Sequence, residues 1–224
     1  MSTAPQFQRY MQALLEGDAR EMERQIRTLA DTGTPLLTIF RDYLRDGLYE
    51  VGRLWECGQA SVAVEHLAAS ATSVVLSTFQ FQPAHRPPGG RRAIITCVPD
   101  ELHDIGALMI ANLCDVAGWK VMLLGANTPA ADLLSLVAER QPDMLGLSVT
   151  EPTNLRQLEE IATLAGTKFP SLEILIGGQA LEHTEVGVRC RNNLLARFQH
   201  IRYPHTLEEL QIYLDPGDAP PAEG

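Results

Sequence analysis

Residues 100–106 read Asp100-Glu101-Leu102-His103-Asp104-Ile105-Gly106. They follow a predicted buried strand, Arg92 to Val98, and open a predicted helix, Ile105 to Ala117. A strand running directly into a helix is the unit from which parallel α/β sheets are built, and such sheets take their ligands beyond the carboxyl ends of the strands. His103 stands at such an end, which is a place for a metal ligand.

Downstream the alternation continues. Lys120 to Leu124 reads as a strand, Pro129 to Arg140 as a helix, Met144 to Val149 as a strand, Leu155 to Ala165 as a helix, Leu172 to Ile176 as a strand, and a further segment follows Gln179. Short apolar strands separated by helices imply a Rossmann-like, doubly wound parallel sheet over residues 91–214 with right-handed crossovers. A strand near His200 to Tyr203 and a short helix from Thr206 to Leu214 close it, and the Pro- and acid-rich residues 215–224 read as a disordered tail.

Upstream, Pro83, Pro87, Pro88, Gly89 and Gly90 mark residues 83–90 as a linker. Residues 1–82 carry helical periodicity. Phe7, Tyr10, Met11, Leu14 and Leu15 form one stripe, Gly17-Asp18 breaks it, and Met22, Ile26 and Leu29 form a second. Leu36, Ile39, Phe40, Tyr43, Leu44, Leu48, Val51 and Leu54 predict the longest helix, from Thr34-Pro35 to about Trp55. Gly58 ends it, Ser61 is placed to cap the next helix, and Val62 to Phe79 complete a four-helix bundle. The expected fold is therefore all-α plus α/β.

Composition limits the function classes. A formal charge of -10 and a pI near 5.0 argue against a direct grip on nucleic-acid phosphates. Cys57, Cys97, Cys114 and Cys190 form no Cys-x-x-Cys pair, and no secretory segment is evident, which fits a reducing cytoplasm. They read as buried small apolar residues rather than ligands. No apolar run approaches the roughly 18 residues of a membrane span.

Three features fall at the carboxyl ends of predicted strands: His103, Ser148-Val149-Thr150, and Gly177-Gly178. Neutral imidazole suits cobalt or iron, and Glu101 or Asp104 can hold its second nitrogen. The hydroxyls of Ser148 and Thr150 can bond a heterocycle or phosphate, while paired glycines let a flat group approach the backbone. At the opposite end of the chain, Trp55-Glu56 closes one helix and Glu65-His66 opens the next. By themselves these read either as a shared surface of indole, carboxylate and imidazole, or as a partly buried Trp beside a solvated Glu-His pair. His85 belongs to the linker, His183 to a loop after Gly177-Gly178, and His200 and His205 lie near the surface; Trp119 and Tyr203 read as packing.

The pattern Glu101-x-His103-x-x-Gly106, 41 residues, Ser148-x-Thr150, 26 residues, Gly177-Gly178 resembles the cobalamin-binding domain shared by methionine synthase, corrinoid methyltransferase proteins and mutases. The resemblance implies that His103 is the lower axial ligand to cobalt. Glu101, Asp104, Ile105 and Gly106 would complete its motif. The cofactor's own benzimidazole would be displaced into a slot beside Ser148, Thr150, Gly177 and Gly178. Two positions depart from the usual pattern: Glu101 stands for Asp and Thr150 for Leu.

Trp55, followed after nine residues by Glu65-His66, resembles the signature of CarH-type photoreceptors, which also carry Glu at the first position of the histidine motif. That resemblance implies adenosylcobalamin, with methyl- or hydroxocobalamin as alternatives, and a helical cap whose Trp55, Glu65 and His66 meet the upper ligand. In those photoreceptors a histidine follows the tryptophan and binds cobalt after illumination; here the position is Glu56. Helical periodicity begins within ten residues of the chain start, so no helix-turn-helix domain is expected before it, as in the stand-alone AerR-type antirepressors. The expected function is a non-enzymatic light-sensing regulator. Its partner would be a transcription regulator or other signalling protein, with a homo-oligomer possible. A corrinoid carrier for methyl transfer, a radical mutase subunit and a haem sensor are the alternatives.

Overall fold

The computed structural model describes residues 5–78 and 90–214. The proposed linker, apart from Gly90, and with it His85, lies outside the described residues, as does the proposed tail. The chain divides into two compact units, Met1–Gln80 and Phe81–Gly224.

The first unit is a helical bundle. Helix α1 spans Pro5–Glu16 and α2 spans Ala19–Asp31. Between them Gly17 takes φ 67°, and the Asp18 carboxylate caps α2 by accepting from the Glu21 N–H at 3.0 Å. A continuous helical run, α3, consists of an α turn at Leu36–Thr38, a π-helical stretch at Ile39–Arg45 and an α-helix at Asp46–Glu56. Periodicity predicts one regular helix here. An apolar stripe over seven residues does not distinguish a wide turn from a regular one, because both keep Ile39, Phe40, Tyr43 and Leu44 inside. Helix α4, Val62–Thr78, follows a break at Gly58 (φ 68°), and Ser61 Oγ accepts the Val64 N–H at 3.3 Å.

Small residues let these helices approach. A Cβ on Gly47 would stand 3.1 Å from both Leu14 and Tyr10, so α3 meets α1 there at the limit of contact. Tyr10, Leu14, Met22, Ile26, Ile39, Phe40 and Leu44 are fully buried, each contributing roughly 1.5–3 kcal/mol. Tyr10 and Tyr43 meet edge to face at 5.5 Å.

The second unit is a five-stranded sheet: β1 Arg92–Cys97, β2 Lys120–Gly125, β3 Met144–Ser148, β4 Glu173–Gly177 and β5 Ile201–Arg202. All neighbours pair in parallel, in the order β2-β1-β3-β4-β5. The helices between them are α5 Ile105–Val116, α6 Ala130–Arg140, α7 Leu155–Lys168 and α8 Glu185–Arg197, with α9 Leu207–Leu214 last. Alternate strand residues Ile94, Leu145, Leu147, Ile174 and Ile176 share one core with Leu133, Val137, Leu158, Ile161 and Leu194 from α6, α7 and α8. Their neighbours Ala93, Ile95 and Leu175 are buried too, as parallel strands covered on both faces require. This doubly wound arrangement reverses between β1 and β3, and the crevice at that reversal is the ligand position of open α/β sheets.

The last helix is fastened to the sheet unit by polar contacts. Buried Trp119 donates its Nε1–H to the Leu214 carbonyl at 3.0 Å, and the Arg91 guanidinium lies over its ring at 4.1 Å. Arg91 also pairs with Glu173, which accepts from the Tyr213 hydroxyl. No described helix is long and apolar enough to cross a membrane.

Among the described residues, two buried polar atoms of the bundle are unsatisfied, the Tyr10 hydroxyl and Gln25 Oε1. The Tyr10 hydroxyl, on a side chain with no exposure, has no hydrogen-bond partner among the described residues, and burial pushes its pKa above the usual tyrosine value. Tyr10→Phe removes that hydroxyl while keeping the ring contact, so it should stabilise the protein by about 1 kcal/mol. A raised urea midpoint with an unchanged slope checks this; an equal or lower midpoint contradicts it.

Candidate functional site

The loop after β1 is built around one carboxylate. Glu101 has no solvent exposure, although its neighbours Leu102 and His103 are exposed. Its Oε1 accepts the His103 backbone N–H at 3.0 Å and lies 2.6 Å from His103 Nδ1. Its Oε2 accepts the backbone N–H groups of Thr150 and Glu151 at 2.9 and 2.8 Å, and the Asn154 amide at 3.2 Å. Burial alone would push Glu101 up. The donors on Glu151, on His103 and its ring, and on Thr150 outweigh burial and bring it down to about 2. Glu101 is therefore ionised at neutral pH and can only accept. Nδ1 of His103 is therefore the donor in this contact, and Nε2 is the ring nitrogen that Glu101 does not engage.

Further bonds hold the same loop. Asp100 takes φ 65°, its N–H donates to Asn127 Oδ1 at 2.9 Å, and its carbonyl accepts from Asn154 at 3.3 Å. Asn127 takes φ 53° and donates its own N–H to the Glu101 carbonyl at 3.1 Å. Asp and Asn tolerate this left-handed conformation better than other side chains. The Cys97 thiol reaches the His103 carbonyl at 3.6 Å; burial, with the Asp104 and Glu101 charges nearby, pushes it up to about 12, so it stays a protonated donor. Asp104 sits at the start of α5 and, among the described residues, makes no contact with the His103 ring; of the two carboxylates proposed to hold the imidazole, Glu101 does so. Ile105 begins α5.

The remaining motif residues line the switch between strands. Ser148 pairs with Cys97 on one side and Gly177 on the other. A Cβ added to Gly106 would sit 3.4 Å from Ser148 Oγ, so α5 starts directly over the end of β3. Gly178 takes φ 117°, and a Cβ there would lie 2.0 Å from the Val149 carbonyl oxygen; only glycine fits. A Cβ on Gly177, by contrast, would meet nothing within 4 Å among the described residues, so this glycine leaves open space at the end of β4. Thr150 contributes its backbone N–H to Glu101, and this bond does not depend on whether Thr or Leu occupies the position.

In the bundle, the break between α3 and α4 holds the other set. Trp55 is 49% exposed, Glu56 is exposed, and His66 Nε2 lies 3.5 Å from Glu65 Oε2. The indole is thus about half exposed, which either reading allows. Val62 and Leu67 are also exposed on α4.

One expectation needs correction. Cys57 is exposed, whereas Cys97, Cys114 and Cys190 are buried as the sequence suggests. His200 is partly exposed, with its Nε2 buried beside Gly166 and its ring edge to face on Phe198 at 5.8 Å. Glu151, Asn154 and Asn127 escape motif reading altogether, because they act through backbone placement and a buried amide. The one signal for them is Glu151-Pro152-Thr153-Asn154, a helix-opening turn directly after a strand end.

The residues present fit a corrinoid. A held imidazole with its distal nitrogen free is a cobalt donor, and the glycine at the end of β4 leaves room for a flat group beside Ser148. Glu101→Ala would leave three backbone N–H groups, the Asn154 amide and the imidazole without their acceptor. It should cost about 3 kcal/mol in urea unfolding, and a loss under 1 kcal/mol would contradict this network. Gly178→Ala should likewise cost more than about 2 kcal/mol, while Gly177→Ala should leave the unfolding midpoint unchanged.

The comparisons with known proteins agree. Residues 91–190 match a B12 binding domain model, and residues 6–79 match a second model with the same description. The chain is 33% identical over 149 residues to the HTH-type transcriptional repressor CarH of Myxococcus xanthus, covering 65% of this chain and 48% of that protein. It is 25% identical over 189 residues to methionine synthase of Mycobacterium tuberculosis, covering 81% of this chain and 16% of that protein. It thus spans half or less of these relatives. The monomethylamine corrinoid protein of Methanosarcina barkeri superposes with a TM-score of 0.71 at 14% identity, over 93% of this chain and 96% of that one, a likeness of fold. The sheet unit and the helical bundle thus each carry a match to a B12 binding domain, which indicates a cobalamin or corrinoid cofactor.

Proposed function

We propose that the protein is a light-sensing regulator that holds adenosylcobalamin and signals through a change in its contacts with another protein. The observation that carries this reading is Trp55. A large indole left half exposed where α3 ends, with the Glu65-His66 pair in the first turn of α4, is a surface made for a ligand rather than for the bundle's own core.

Bound cobalamin would supply absorption of visible light and a cobalt–carbon bond that light can break. The chain's residues divide the remaining work. His103 presents Nε2 as the lower ligand, and Glu101 fixes the tautomer and direction of the ring. Gly106, Ser148, Thr150, Gly177 and Gly178 form the bed for the cofactor's tail. Trp55, Glu65 and His66 are the bundle's contacts with the upper ligand. A ligand that binds two packings of the bundle unequally shifts the balance between them. The π-helical stretch Ile39–Arg45, in the helix that carries Trp55 in its last turn, supports such a shift, since wide turns of this kind concentrate at functional sites. The receiver would be a transcription regulator or other signalling protein.

A second reading, a corrinoid carrier passing methyl groups between methyltransferases, is favoured by Glu56. A carboxylate stands where the photoreceptors have the histidine that binds cobalt after illumination. One experiment separates the two. Protein loaded with adenosylcobalamin in the dark should show the spectrum of a histidine-ligated, base-off corrinoid, which His103→Ala abolishes. Illumination should then change the mass seen by light scattering, and Trp55→Ala should suppress that change while preserving the dark spectrum. Photolysis at the rate of free cofactor with no change in mass, together with methyl transfer from a partner enzyme, would replace the sensor by the carrier. Gly177→Ala, neutral for folding, should weaken cobalamin binding at least about tenfold by filling the bed with a methyl group.

A further inference from the structure

The chain between β1 and His103 turns on a residue poorly suited to the turn. In Val98-Pro99-Asp100-Glu101 the Glu101 N–H donates to the Val98 carbonyl at 3.2 Å, proline stands second and Asp100 stands third with φ 65°. A turn with positive φ at its third residue normally carries glycine there, and a residue with a Cβ holds that conformation at a cost. Three side-chain amides from outside the turn offset it. Asn127, between β2 and α6, accepts the Asp100 N–H on Oδ1 at 2.9 Å; Asn154, after β3, donates to the Asp100 carbonyl at 3.3 Å; and Gln157, in the first turn of α7, donates to the Asp100 carboxylate at 3.2 Å. Backbone donor, backbone acceptor and carboxylate are all engaged. Residues 98–104, 125–129 and 148–154 contain four carboxylates and no Lys or Arg, so these loops hold Asp100 with neutral amides and not with cations.

Asn127 has an anchored base. The hydroxyl of buried Thr96 lies 2.9 Å from Thr128 Oγ1 and 3.2 Å from the Gly125 carbonyl, so the residues on both sides of Asn127 are tied to β1. Its own N–H donates to the Glu101 carbonyl at 3.1 Å, and with the Oδ1 contact this brackets the peptide that joins Asp100 to Glu101. We infer that Asn127 is a positioning residue for His103: its side-chain oxygen holds Asp100 in the left-handed turn, and the turn sets the Glu101 carboxylate against the imidazole. The inference rests on the reading of His103 as the lower ligand. In the cofactor-free protein the loop divides between aimed and slack forms, and apparent affinity for a corrinoid follows the aimed fraction. Asn127 is exposed, so replacing it leaves the core of the sheet unit untouched, and the loss of one exposed hydrogen bond weakens binding by about two- to fivefold.

The test titrates the cofactor-free protein with adenosylcobalamin in the dark, reading bound cofactor by equilibrium dialysis and its ligation by absorbance. Asn127→Gly removes the oxygen while keeping the left-handed backbone accessible, and it should weaken apparent affinity by about two- to fivefold. Asn127→Asp keeps an acceptor oxygen and should retain the wild-type affinity. Asp100→Gly makes the turn its own support, so adding Asn127→Gly to it should change nothing further. In a His103→Ala background Asn127→Gly should leave residual binding unaltered, whereas a purely structural role would weaken binding equally in both backgrounds. Undiminished affinity in Asn127→Gly overturns the positioning role. So does an equal loss in Asn127→Gly and Asn127→Asp, or a loss that persists in the Asp100→Gly or His103→Ala background. Each of these leaves the ligand reading standing. If the wild type shows no His103-dependent spectrum, the ligand reading falls and the positioning role falls with it.

Discussion

A single buried carboxylate organises the end of the sheet. Glu101 has no exposure, yet it accepts hydrogen bonds from the His103 backbone and ring, from the Thr150 and Glu151 backbone, and from Asn154. Burying an ion ordinarily costs several kcal/mol, and it is tolerated only where the lone pairs are filled. Here the donors come from two different loops, after β1 and after β3, which face each other where the strand order reverses. The charge therefore does more than hold a ring. It makes the closure of the two loops and the aim of the imidazole one event, since neither loop can relax without exposing the carboxylate or stranding a donor.

Much of this was legible in the sequence because it rests on strong local signals. Near-continuous apolar runs at Arg92–Cys97, Met144–Ser148 and Glu173–Gly177 announce strands buried on both faces, and the second and third end in the motif residues Ser148 and Gly177. The strand register then brings Cys97, Ser148 and Gly177 side by side, which spacing alone implies once the sheet is parallel. What stayed hidden was whatever depends on tertiary placement. That Glu101 rather than Asp104 meets the imidazole goes with the left-handed turn at Asp100, a conformation that aspartate tolerates but adopts only where the surrounding bonds require it. The buried Nε2 of His200 and the exposed ring of Trp55 were invisible for the same reason, because exposure is set by neighbours distant in sequence.

The two units carry different kinds of information. The sheet unit has a held imidazole, a glycine that admits no side chain and a glycine that leaves room for a ligand, and these specify what is bound. The bundle has a core complete without Trp55, Glu65 and His66, none of which is buried, so these residues are free to vary with what the cofactor is used for. Proteins that share the first set and differ in the second would bind one cofactor and put it to different ends. Glu56 belongs to that variable set, which is why it weighs on function and not on cofactor identity.

The length of the Glu101 side chain has a consequence for the ligand. Its Oε1 serves two donors and its Oε2 three, which fills the roughly four lone-pair sites of a carboxylate and shares one of them. No acceptor capacity is left for a hydroxyl. Among the described residues, neither Ser148 nor Thr150 spends its hydroxyl on Glu101, and Ser148 Oγ instead faces the first turn of α5 across Gly106. Glu101 thus draws its donors from the backbone and from Asn154, and the hydroxyl groups at the end of β3 stay available to a ligand. Thr in place of Leu at position 150 then adds a hydroxyl and leaves the backbone bond to Glu101 unchanged.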